Sequence, residues 1–80
     1  MITSAQSRAA RGLLGWTQDH LAQAAGCGTS SVRYLETESR EISDELKRAI
    51  LEALEEGGVE FIPENGGGVG VRLKTREAKR

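Results

Sequence analysis

The stretch that decides the fold is residues 18–36, QDHLAQAAGCGTSSVRYLE. It divides at Gly26. Before it, Leu21, Ala22 and Ala25 recur at helical spacing and form one inward stripe, with Thr17 able to cap the free amides of the first turn. After it, Val32 and Leu35 anchor a second helix, over about residues 28–36, whose remaining side chains are polar or exposed. Gly26 supplies the left-handed residue that ends the first helix, and Cys27 reads as a small buried hydrophobe. The small Ala22 lets another helix approach closely. Two short helices joined by a tight turn, the second with its opening turn free, have the geometry needed to enter a duplex groove.

Working outward, residues 4–14 read as a preceding helix capped by Ser4, with Ala5, Ala9 and Leu13 at helical spacing and Ala10 and Leu14 beside them. Gly15 ends it. Trp16 reads as a plug between the first two helices and His20 as an exposed helix residue. Residues 37–42 are polar and form a loop. Ser43 caps a fourth helix, in which Leu46, Ala49, Ile50, Ala53 and Leu54 make a strongly amphipathic stripe and Gly57 and Gly58 stop it. Val59 to Ile62 and Val69 to Leu73 have strand character on either side of a turn-rich segment, predicting a two-stranded hairpin. The expected organisation is one compact unit, mainly α: four helices over residues 1–58, a β-hairpin over 59–74, and a frayed basic tail over 75–80.

Composition limits the function. Eighty residues make one domain with a thin core, for which association with a second copy is a natural way to bury more surface. The net charge is −1, so this is not a polycation that coats nucleic acid. Its distribution is uneven. Arg8, Arg11, Arg33 and Arg40 face only Asp19, Glu36 and Glu38 in the first half, while acid concentrates from Glu41 to Glu64. A locally basic front half can meet phosphate. One cysteine excludes an internal disulfide and fits a reducing, cytoplasmic setting; with a single histidine beside it, a metal site is not expected. No apolar run approaches the roughly 20 residues that span a bilayer, and residues 1–7 do not read as a secretory leader. Gly66, Gly67 and Gly68 lie between strands with no helix following, so they are no nucleotide cradle. No nucleophile–base pair is evident either, and neither an enzyme, a cofactor nor a small-molecule effector is expected.

The order Gln18, then Leu21-Ala22, Gly26, Val32 and finally Leu35-Glu36 resembles the Cro/C1-type (XRE-like) helix-turn-helix family. The likeness extends over about residues 8–54, and the ending resembles short bacterial members that close with a hairpin. It implies a lambda-repressor-like helical domain and a sequence-specific transcriptional regulator, a repressor that binds double-stranded DNA. Three positions depart from the pattern: Cys27 replaces an aliphatic residue, Gly28 a frequent Ser cap, and Glu38 a frequent Gly.

The resemblance implies that the Gln18 amide contacts a phosphate or braces a base-reading side chain, and that Arg11 and Glu36 form a structural ion pair between helices 1 and 3. Thr17 and the amides behind it suit a phosphate. Gly28, Thr29, Ser30 and Ser31 open the recognition helix, where base edges are read; Arg33 can bond guanine bidentately, and Tyr34 can meet sugar or phosphate. Each has a structural alternative: capping for Thr29 and Ser30, a surface charge for Arg33, packing on the following loop for Tyr34. One recognition helix reads few base pairs, so a homodimer is expected. Leu51, Val59, Phe61, Val69, Val71 and Leu73 are its expected interface. A second class of function is an antitoxin that binds a protein toxin as well as its own operator, although the short stretch after Leu73 offers little to wrap a toxin.

Overall fold

The computed structural model describes residues 1–74. Four helices, α1 (Ser4–Leu14), α2 (Gln18–Ala25), α3 (Thr29–Thr37) and α4 (Asp44–Gly57), are followed by strands β1 (Val59–Ile62) and β2 (Gly70–Leu73). The tail expected to fray, residues 75–80, lies outside the described residues.

Local chemistry sets the helix ends. The cap of α1 is Thr3, not Ser4. The Gln6 amide donates to Thr3 Oγ1 (3.1 Å) and the Thr3 amide donates to Gln6 Oε1 (3.0 Å), a reciprocal capping box. Thr17 and Ser43 cap α2 and α4 by accepting from the amides of His20 and Leu46. Gly26, at φ 76°, turns the chain out of α2 so that α3 can begin three residues later, at Thr29. At the far end of α3 the same left-handed role falls to Glu38, φ 58°, the described non-glycine residue with positive φ.

The core joins Leu21 and Ala22 of α2, Val32 and Leu35 of α3, and Ile50, Ala53 and Leu54 of α4 with Ala10, Val59 and Ile2. Of the expected α4 stripe, Ile50, Ala53 and Leu54 lie inward as the periodicity predicts, while Leu46 and Ala49 are half-buried. The face of α1 does not follow its periodicity. Ala5, Ala9 and Leu13 are exposed, whereas Ser4, Gln6, Ser7 and Ala10 are buried. The polar members of this row have partners inside the fold: Ser7 donates to the buried Glu36 carboxylate, Gln6 to the Gly70 carbonyl and Ser4 to Glu38, while Ala10 joins the apolar core. Trp16 also reaches beyond the first two helices. Its ring stacks on His20, with centroids 4.3 Å apart, and lies so close to Gly57 that a Cβ there would stand 2.7 Å from the indole. It plugs the gap between the start of α2 and the end of α4.

The strands pair antiparallel, with Val59 opposite Leu73, Glu60 opposite Arg72 and Phe61 opposite Val71. Directly paired side chains share a face, so Val59, Phe61, Val71 and Leu73 form one apolar side. Glu60 and Arg72 form an ion pair on the other. Strand β2 begins at Gly70, leaving Val69 in the turn. An isolated hairpin of this length is marginal in water. Here Gln6 Nε2 donates to the Gly70 carbonyl (3.1 Å) and the Lys74 amide donates to the Gly58 carbonyl (2.8 Å), fastening it to α1 and to the end of α4.

Candidate nucleic-acid interface

One buried carboxylate organises the face around α2 and α3. Glu36, 3% exposed, accepts from Arg11 Nε (2.9 Å) and Nη2 (2.7 Å), Ser7 Oγ (2.6 Å) and Gln18 Nε2 (3.1 Å). Arg11 Nη1 also donates to the Trp16 carbonyl (3.1 Å), and Arg8 Nη1 to the Glu36 carbonyl (2.7 Å). Helices α1, α2 and α3 are thereby tied to one another through a single acid. Burial pushes the Glu36 carboxyl up, but the bonds from Arg11, Ser7 and Gln18 outweigh it and hold it below the usual carboxylate range. The bond to Glu36 raises the Arg11 guanidinium further, against the opposing effect of burial.

Next to this hub, Thr17, Gln18, Thr29 and Arg33 line an open groove between the first turns of α2 and α3. Arg33 is exposed, and Ser30 is exposed beside the groove. Arg11, Trp16 and Asp19 complete its walls. The groove thus holds the exposed Arg33 guanidinium, the Arg11 guanidinium already bound to Glu36, the capped amino end of α2, small hydroxyl side chains and one carboxylate, Asp19. Apart from Asp19, that set suits an anionic backbone with base edges behind it.

The remaining residues of the expected contact set lie apart or have other partners. Gly28 is the exposed cap of α3 and supplies no side-chain bond; Ser31 is half-buried. Tyr34 faces a different depression, towards the α3–α4 loop, where the Arg40 guanidinium lies 5.1 Å from its ring centroid. Gln18 directs its amide nitrogen to Glu36 and not to a base-reading side chain. Thr29 is half-buried and donates to Asp19 Oδ1 (2.6 Å). Sequence reasoning missed Asp19 as a groove residue. Its position in the first turn of α2 explains it equally well as a helix-dipole partner, and no sequence spacing announces a contact between α2 and α3.

Away from this groove, Leu51, Phe61 and Val69 line a largely apolar depression with Met1, Ile2 and Pro63, at which Gln6, Glu55 and Glu64 also lie. Val59 does not belong to any surface: it is 0% exposed, sealed in the core between α4 and the hairpin, and is corrected from interface to core. Val71 is half-buried, and Leu73 is 50% exposed. Cys27 is partly buried against the core, and that burial pushes its thiol up, away from the reactive thiolate.

A braced helix whose opening turn stands free beside an anion-suited groove defines a helix-turn-helix DNA-binding domain. A helix-turn-helix family model matches residues 8–61, and the chain belongs to that family, the Cro/C1-type (XRE-like) helix-turn-helix proteins. DNA binding in transcriptional regulation comes with the family. No curated protein matches the chain closely enough to count as a relative. Among the described residues, no helix is long and apolar enough to cross a membrane.

Proposed function

We propose that this domain is a cytoplasmic repressor that binds a palindromic operator as a homodimer, laying α3 in the major groove of each half-site. The observation that carries this reading is the groove in which Arg33 and Thr29 of α3 lie beside Thr17 and Gln18 of α2. In that arrangement Ser30 and Arg33 reach base edges. Thr17 and the amides of α2 hold a phosphate, and Gln18 fixes the register of α2 on the hub. Two-fold pairing sets the two copies of α3 about 34 Å apart, one helical turn of DNA. The hairpin belongs to the same compact unit and serves dimerisation. Leu51, Phe61 and Val69 form its contact face, and the exposed Leu73 extends it. A net charge of −1 supports the need for two copies, because one copy gains little from phosphate alone.

The test is selection from a random DNA pool with the full chain, together with light scattering. The expected result is an inverted repeat with half-sites about one turn apart, bound by a particle of twice the chain mass. A monomer at high concentration, or no enriched motif even at low salt, would reject the proposal.

A further inference from the structure

The groove contains a carboxylate where a phosphate-binding surface would be expected to avoid one. Asp19 lines the same groove as Arg11 and Arg33, and its Oδ1 accepts the hydroxyl proton of Thr29 at 2.6 Å. A threonine hydroxyl has one proton and two lone pairs. With the proton committed to Asp19, Thr29 has only acceptor capacity left for anything that enters the groove, and an ionised carboxylate is acceptor-only in any case. Thr29 is the first residue of α3, in the turn that would meet base edges, and Gly28 before it offers no side chain to take over its hydroxyl.

Resting on the reading of α3 as the major-groove helix, we infer that Asp19 and Thr29 together form an acceptor-only element that selects an amino-bearing base edge, cytosine N4 or adenine N6, and rejects guanine. Guanine presents two acceptors in the major groove, N7 and O6, and opposed acceptors repel; cytosine presents a donor, and adenine a donor beside its N7. Asp19 therefore acts by exclusion as much as by attraction. It lowers affinity for DNA in general, by repelling phosphate, and raises discrimination at one position of each half-site.

The experiment compares wild type, Asp19→Ala and Thr29→Val in binding-site selection. Each is then titrated against the selected operator and against a version with guanine at the position in question, after melting curves have established that the variants fold. Wild type should prefer cytosine or adenine over guanine at one position per half-site by about tenfold, the discrimination that a single well-placed polar contact gives. In Asp19→Ala the preference should narrow to within about twofold, as a free hydroxyl can donate to guanine, and the guanine version should bind more tightly than it does to wild type. The nearly isosteric Thr29→Val leaves the acceptor-only carboxylate in place, so guanine should stay disfavoured in it; a preference that disappears in Thr29→Val overturns the role given to Asp19, which keeps the claim testable if Asp19→Ala fails to fold. A wild-type motif with no such position overturns the inference while leaving the α3 reading intact, and so does an unchanged preference in Asp19→Ala. No motif at all overturns both.

Discussion

Removing the Glu36 carboxylate should cost this domain a large share of its stability. In Glu36→Ala, Arg11, which is only 20% exposed, loses both of its carboxylate bonds, and Ser7 Oγ is left buried with its acceptor gone. Breaking one side of a fully buried pair costs about 3–5 kcal/mol. The lower end applies here, about 3 kcal/mol, because Arg11 keeps its bond to the Trp16 carbonyl and has some access to water. A domain of 80 residues has about 4–12 kcal/mol in all. The melting temperature should therefore fall by about 12–24 °C, at about 4–8 °C per kcal/mol. Circular dichroism melts and urea titrations at neutral pH measure it. The same carboxylate gives the stability a direction in pH. Its folded pKa is held below the unfolded value, so its contribution is complete above the ordinary Glu range and is lost as pH falls through the folded value. Glu36→Gln should remove that part of the acid dependence while keeping the shape of the side chain. A loss below about 1 kcal/mol in Glu36→Ala, the size of a surface pair, would refute the hub.

Other substitutions probe the packing. Gly57→Ala should destabilise by about 1 kcal/mol, because the added Cβ meets the Trp16 indole and the strain outweighs the helix-propensity gain; a melt settles the sign. Gly12→Ala has open space around it and should stabilise by about 0.5–1 kcal/mol in the same melt. In a Ser4→Ala background, where the bond from Ser4 Oγ to Glu38 is already gone, Glu38→Gly should stabilise by about 1 kcal/mol by relieving the left-handed backbone.

What could be read from the sequence depended on whether a residue's role lies in its own periodicity. Leu46, Ile50, Ala53 and Leu54 declare the inner face of α4, and Gly26 declares the turn. Helix α1 misleads because its buried row, Gln6, Ser7 and Ala10, contains side chains that hydropathy places outside; they are tolerated inside because Glu36 and Gly70 satisfy them. The i, i+4 spacing of Ser7 and Arg11 was the available signal, and it acquires meaning only once Glu36 is known to lie opposite. Val59 has the same alternation as Phe61, and nothing in the sequence distinguishes a strand residue sealed by a helix from one left at the surface. The contact between Asp19 and Thr29 joins two helices across a turn, so no periodicity predicts it.

The central claim is that the exposed first turns of α3 read DNA. Fluorescence anisotropy of the selected operator, titrated with wild type and with Arg33→Ala across a salt series, tests it most directly. Arg33 is exposed in the groove and makes none of the hub's bonds, so the variant should melt like wild type. It should bind the operator about 5–150-fold more weakly, the loss of a contact worth about 1–3 kcal/mol, with a much smaller loss on unrelated DNA. Equal operator affinity for the two proteins at every salt concentration would contradict the account.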